Sequence, residues 1–129
     1  NDLGVEAGFI FKRRLDDGTT EVAAVAADVQ GRKVVIYDDM IRTGGSLIGA
    51  ARAYLEVGAE STSAVATHGV LPADSLQRIL ETELFSEVVC TDRHPRAVEL
   101  AGEPGFTVVS IAGLLANFLA ERSNARLSD

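Results

Sequence analysis

The chain has 129 residues, of which 47% are hydrophobic and 5% aromatic. This length is enough to bury one core and predicts a single domain over residues 1–129. Nineteen acidic against twelve basic residues give a net charge of −7, which would repel a nucleic-acid backbone or an anionic membrane surface. We therefore expect neither nucleic acid nor a membrane as a partner. With no secretory signal or membrane-spanning run recognisable, we expect a cytoplasmic protein.

Apolar runs typical of β-strands alternate along the chain with helical patterns. Six runs predict strands, at residues 7–11, 21–29, 33–39, 62–69, 87–92 and 107–111. Three segments predict helices, at residues 46–57, 72–82 and 112–125. Strands that are apolar throughout and are followed by helices indicate an α/β fold with three layers, in which helices cover both faces of a mostly parallel sheet. Residues 16–33 break this alternation and predict an antiparallel strand addition.

Some conspicuous side chains have a structural interpretation. Cys90 cannot form an internal disulfide because it is the only cysteine, and its apolar setting predicts a small residue in a buried strand. His68 and His94 have no partners at metal-ligand spacing, so we expect structural or loop roles for both. The third predicted helix is expected to bury an apolar stripe made of Leu114, Leu115, Phe118 and Leu119.

The stretch VVIYDDMIRTGGS, residues 34–46, combines an apolar run that predicts a buried strand with two aspartates and a turn rich in glycine and hydroxyl groups. In parallel sheets, ligands lie at the carboxyl ends of strands, where a loop leads into a helix. Free backbone N–H groups at the start of the following helix favour an anion, and Thr43 and Ser46 add hydroxyl donors. Asp38 and Asp39 would repel a phosphate but suit vicinal hydroxyls or a hydrated cation. A ribose phosphate has both kinds of group.

The same stretch resembles the fingerprint of proteins that bind phosphoribosyl pyrophosphate, namely the type I phosphoribosyltransferases and the phosphoribosyl pyrophosphate synthetases. FKRR near the start, VATHGVL after the fingerprint helix and VVSIAGLLANFLAER near the end resemble segments of the synthetases, also called ribose-phosphate pyrophosphokinases. The resemblance covers most of residues 7–122. It implies a type I phosphoribosyltransferase-like fold and only the carboxyl-terminal half of a synthetase. The opening residues, which read as the middle of a domain, also indicate a fragment of a longer protein.

The resemblance implies a ribose-phosphate diphosphokinase, which makes phosphoribosyl pyrophosphate for nucleotide biosynthesis from ATP and ribose 5-phosphate. It implies that Asp38 and Asp39 hold the ribose hydroxyls. The residues it implies around the 5-phosphate are Arg42, Thr43, Gly44, Gly45 and Ser46.

The resemblance also assigns catalytic roles to Lys12 and Arg14 in a mobile loop, where Lys12 would stabilise charge during transfer and Arg14 would contact the substrate. It further implies Mg²⁺ as the cofactor and a homo-oligomeric assembly. In the family the metal-binding residues lie in the upstream half. No metal ligand is therefore predicted in this chain, and we expect the chain alone to be inactive.

The clearest departure from the family pattern is Arg42, because synthetases usually carry an aspartate at this position. Two alternatives to a synthetase stay open. A type I phosphoribosyltransferase would need a base-binding hood, for which no spare segment is evident. A non-catalytic homologue that regulates a true synthetase would explain the cation at position 42.

Overall fold

The computed structural model describes residues 4, 8–14, 20–26 and 28–126. Two sheets are present in this part of the chain. A two-stranded antiparallel sheet pairs β1 (Phe9–Arg14) with β2 (Thr20–Ala26), and its register shifts between Phe11 and Lys12. A four-stranded parallel sheet has the order β3-β4-β5-β6. Its strands are β3 (Lys33–Ile41), β4 (Ser61–Gly69), β5 (Phe85–Thr91) and β6 (Phe106–Val109).

Four helices follow the strands of the parallel sheet. They are α1 (Gly45–Glu56), α2 (Ser75–Glu81), α3 (Pro95–Glu99) and α4 (Ala112–Arg126). Each parallel pair of strands is thus joined by a helical crossover, which confirms the predicted α/β fold with a parallel sheet. None of the helices in the described residues is long and apolar enough to cross a membrane.

The hydrophobic core lies over one face of the parallel sheet. Alternate residues of a strand point to the same face, and β4 turns Ala64 and Ala66 inward, where they are almost completely buried. Helices α1, α2 and α3 all supply residues to this core, including Leu47, Ile79 and Ala97. The predicted cover of helices on both faces therefore stays a prediction, because these three helices share one face.

The antiparallel pair does not join the parallel sheet within the described residues. β1 and β2 form their own sheet, and β2 lies beside α1. Alternating apolar residues identify a strand, but they do not say which sheet the strand enters. The predicted addition of an antiparallel strand to the main sheet stays a prediction.

Two sequence-based expectations about helices need correction. The apolar stripe of α4 is not buried, since Leu114, Leu115, Phe118 and Leu119 are all exposed and Leu114 has an exposed fraction of 71%. Helical spacing predicts such a stripe, but burial also needs an element to cover it, and the described residues place none there. The loop predicted around His94 contains the short helix α3, whose N-cap is His94: its Nδ1 accepts the N–H of Arg96 at 3.2 Å. Pro95 at the first helical position was the available signal.

Candidate functional site

A cavity of about 240 Å³ lies at the carboxyl end of β3, between this strand and the start of α1. Its lining consists of the consecutive residues 38–47, which end the strand, make the turn and begin the helix. The location is the carboxyl edge of the parallel sheet, where loops lead into helices. Ligands of open α/β proteins commonly bind at this edge.

Hydrogen bonds and packing hold the two ends of this lining in place. The carbonyl oxygen of the buried Ile41 accepts backbone N–H groups from Val70 at 3.0 Å and from Leu71 at 3.2 Å, which ties the end of β3 to the loop after β4. On the helix side, Leu47 is buried in the core. The turn between these two anchors is therefore held at both ends by the fold.

Gly44 makes the turn into the helix. Its φ of +80° lies in the left-handed region, which favours glycine, and a Cβ placed there would clash with Cγ1 of Ile79. Gly45, by contrast, has nothing within 4 Å of such a Cβ. The fold thus requires a glycine at position 44, whereas it would accept a side chain at position 45.

The start of α1 offers backbone donors to the cavity. The first intrahelical bond runs from the N–H of Ile48 to the carbonyl of Gly44 at 2.9 Å, so the preceding N–H groups have no acceptor within the helix. The N-cap makes no side-chain hydrogen bond, and no acidic residue stands in the first turn. An anion would therefore meet free N–H groups and the positive end of the helix dipole.

Carboxylates form the opposite end of the lining. Asp38 is half-buried and Asp39 is exposed, and Oδ1 of Asp38 accepts the backbone N–H of Asp39 at 2.8 Å. The bond leaves the other oxygen of Asp38 and both oxygens of Asp39 available as acceptors. They suit the hydroxyl groups of a sugar, which can donate hydrogen bonds to them.

Most of the predicted site residues meet in this cavity. Asp38, Asp39, Arg42 and the turn from Thr43 to Ser46 all line it. Lys12 and Arg14 belong to strand β1, not to a loop as predicted, because residues 9–14 pair with β2. Their side chains lie outside the part that the structure describes, so their catalytic roles stay a prediction. Met40, Ile41 and Leu47 also line the cavity, and only their position within or directly after the stretch 34–46 could have indicated this.

The adjacent strand ends are occupied by structural contacts. Asp92 forms an isolated bridge with His68, which is the register partner of Met40. A hydrogen bond from the Ser110 side chain, together with one from the Ile111 N–H at 3.2 Å, lowers the pKa of the Asp92 carboxyl. These contacts fasten β4 and β5 to the residues that follow β6. The bridge involves the backbone of His68, so a structural role for its side chain stays a prediction.

The fit of Mg²⁺ can be tested on the oxygen ligands at the cavity. Mg²⁺ is usually bound by one or two carboxylates together with water and phosphate oxygens of the substrate. Asp38 and Asp39 fit such shared binding. Within the described residues, no three His, Cys, Asp or Glu side chains are grouped as a metal site, so a site made of protein ligands alone does not fit there.

Fold and cavity together define the class: an α/β domain with a cavity at the carboxyl edge of a parallel sheet, lined by the turn that leads from β3 into α1. The family model of the phosphoribosyl synthetase-associated domain matches residues 19–125. The chain belongs to this family. The match includes β2, the whole parallel sheet and the cavity.

Relatives of the chain support this assignment. The chain is 36% identical over 122 residues to the ribose-phosphate pyrophosphokinase of Maricaulis maris, and the match covers 95% of this chain and 39% of that protein. It is 38% identical to the enzyme of the same name from Chromobacterium violaceum, with 95% and 37% covered. The crystal structure of phosphoribosylpyrophosphate synthetase from Mycobacterium smegmatis matches with a TM-score of 0.72 and 36% identity, covering 95% of this chain and 38% of that one. The chain thus spans less than two fifths of the length of these relatives.

Proposed function

We propose that this chain carries the ribose 5-phosphate site of a ribose-phosphate diphosphokinase. The observation that carries the proposal is the single cavity formed by residues 38–47, which joins free helix N–H groups to a pair of carboxylates. Relatives that bear the name ribose-phosphate pyrophosphokinase support it. The chain would form a carboxyl-terminal, type I phosphoribosyltransferase-like domain of a longer protein, with a second helical layer over the free face of the sheet and an antiparallel addition at its edge.

The two ends of the cavity match the two ends of the substrate. The 5-phosphate would accept hydrogen bonds from the N–H groups of the first turn of α1, from the Thr43 and Ser46 hydroxyls and from the Arg42 guanidinium. The ribose hydroxyls would donate to Asp38 and Asp39. A phosphate oxygen at 4 Å from a carboxylate would be repelled by about 4 kcal/mol per charge pair at an effective dielectric constant of about 20, which sets this orientation of the substrate.

In the reaction, the anomeric oxygen of the bound ribose 5-phosphate attacks the β-phosphorus of ATP. The bond between the β-phosphorus and the oxygen bridging to the α-phosphate breaks, AMP leaves, and the anomeric hydroxyl loses its proton. Lys12 would stabilise negative charge on the transferred group, and Arg14 would contact the substrate. The protein thus contributes mainly orientation and positive charge.

Mg²⁺ would reduce the charge of the triphosphate, and Asp38 and Asp39 are the residues here that would reach it together with substrate oxygens. We further propose a cytoplasmic homo-oligomer that binds neither nucleic acid nor membranes. The surplus of acidic residues supports the last point.

A non-catalytic homologue is the second candidate. Arg42 favours it, because this position faces the proposed substrate with a cation where the resemblance leads one to expect a carboxylate. Such a protein would keep the cavity and the fold but would not catalyse the reaction.

The test is an assay of phosphoribosyl pyrophosphate formation by the longest product of the gene that encodes this chain. The diphosphokinase proposal predicts turnover, and a loss of about a hundredfold or more for Lys12→Ala with ribose 5-phosphate binding retained. Turnover that Lys12→Ala leaves unchanged would contradict the catalytic role of Lys12. No turnover by the unaltered product, together with turnover by Arg42→Asp, would favour the non-catalytic homologue.

A further inference from the structure

Arg42 is the cation of the cavity, and the structure leaves its guanidinium free. The side chain is exposed, and no hydrogen bond or ion pair engages it within the described part of the chain. Two other arginines are already paired, since Arg78 contacts Asp74 at 3.4 Å and Arg96 contacts Glu99 at 3.0 Å. Arg42 is therefore available to a ligand without breaking an existing contact.

The charges that line the cavity explain why a cation is needed there. With Asp38 and Asp39 on one side and Arg42 on the other, the lining carries one net negative charge. A phosphate with up to two negative charges would enter this field, and the neutral N–H groups of α1 compensate it only in part. Without Arg42 the lining would carry two negative charges, and a bound metal ion is one way to offset them.

A guanidinium is well suited to replace the metal ion in this role. It stays protonated at all ordinary pH values, and its planar N–H groups can donate two parallel hydrogen bonds to a phosphate. Arg42 stands directly between the carboxylates and the start of α1. A phosphate at the helix start would thus lie within the same short segment as its counter-charge.

We propose that Arg42 makes the binding of ribose 5-phosphate to this cavity independent of divalent cations. The inference rests on the proposed function, because it takes ribose 5-phosphate as the ligand. Mg²⁺ is then needed for the nucleotide and not for the sugar phosphate. Arg42 acts as a binding residue whose charge sets the metal requirement of ribose 5-phosphate binding.

The test is calorimetric titration of the chain with ribose 5-phosphate, in EDTA and in excess Mg²⁺. The variants are Arg42→Gln, which removes the charge, and Arg42→Lys, which keeps it. Arg52→Gln is the matched control, because Arg52 is an exposed arginine of α1 outside the cavity, about 9 Å along the helix axis from Ser46. Circular dichroism of each variant establishes that it is folded.

The unaltered chain should bind with dissociation constants that agree within about twofold in EDTA and in Mg²⁺, and Arg52→Gln should match it because exposed charges contribute little at this distance. Arg42→Gln should bind about tenfold or more weakly in EDTA and should recover part of the loss in Mg²⁺, whereas Arg42→Lys should keep most of the metal-independent binding.

Binding that requires Mg²⁺ in the unaltered chain would overturn this inference and leave the proposed function standing. Equal binding by Arg42→Gln in EDTA would do the same. No binding of ribose 5-phosphate under either condition would overturn the proposed function and this inference with it.

Discussion

Cys90 illustrates what a single buried side chain contributes to this fold. It lies on β5, is completely buried, and approaches Gly69 so closely that a Cβ on that glycine would lie 3.0 Å from its Sγ. Burial raises the pKa of the Cys90 thiol from 9.0 to about 11. The sequence-based interpretation of Cys90 as a small core residue is confirmed.

The raised pKa predicts a loss of stability at high pH. The unfolded thiol loses its proton near its ordinary pKa of 9.0, whereas the folded thiol keeps it until about 11. The unfolded state is therefore favoured as the pH rises through this interval, and the contribution of the thiol to folding stability is complete only below pH 9. Urea unfolding between pH 7 and pH 10.5 should show a steeper decline for the unaltered chain than for Cys90→Ala.

Tyr54 adds to the decline in stability of both proteins at high pH. Burial also raises the pKa of its hydroxyl, so both proteins should lose some stability at high pH.

Native Cys90 should also resist thiol reagents at pH 8 and react only after unfolding. Equal slopes for the two proteins, or rapid labelling of the native thiol, would contradict this description of Cys90.

At the scale of elements, the turn from β3 to α1 contains two adjacent glycines that look alike in the sequence but have different surroundings. Gly44 has a left-handed φ and lies against Ile79 of α2, whereas Gly45 has open space around it. The fold explains why position 44 is a glycine. A ligand that approaches the backbone closely would explain why position 45 is also a glycine.

Alanine substitutions at these two glycines should therefore have different effects. Gly44→Ala should lower the free energy of unfolding by about 2–4 kcal/mol, because it adds a strained φ to a steric clash with a buried side chain. Gly45→Ala should leave stability within about 1 kcal/mol but weaken ribose 5-phosphate binding, since its methyl group would lie where the phosphate meets the N–H groups. Urea unfolding and calorimetry measure the two effects. Unchanged binding by Gly45→Ala would show that no ligand approaches the backbone there.

The elements also show which features a sequence can predict. β3, α1 and β4 were found close to their observed bounds because their apolar spacing is local, and Gly58 follows α1 with a φ of +96° as a helix end requires. Helix α3 escapes prediction because five residues are too few for a helical period. Helical spacing predicts a buried stripe on α4, although periodicity carries no information on what covers a helix.

At the scale of the whole molecule, the sheet order β3-β4-β5-β6 follows the order of the chain. Crossover connections of one hand place α1, α2 and α3 on the same face, which is where the core lies. Within the residues that the structure describes, the opposite face stays open, and Tyr37 has an exposed fraction of 70% there. The sequence predicts a cover for this face, because its apolar strands resemble those of sheets with helices on both sides.

The candidate site also has one part that local sequence patterns predict and another part that they do not. The cavity is formed by consecutive residues, so a strand, a turn and a helix start were enough to predict its members. Lys12 and Arg14 stand on a different sheet, and their relation to the cavity depends on how β1 and β2 are arranged around it. Such long-range placement is not encoded in local spacing, and it rests on the resemblance alone.

The central claim is that residues 38–46 bind a ribose phosphate. Its most direct test is calorimetric titration of the chain with ribose 5-phosphate, beside the double variant Asp38→Asn with Ser46→Ala. Asp74→Asn with Ser86→Ala is the matched control, because both residues are exposed and lie outside the cavity. We predict saturable binding by the unaltered chain and by the control, and a loss of about tenfold or more in the cavity variant. No binding by the folded chain, or equal binding by the cavity variant, would contradict the claim.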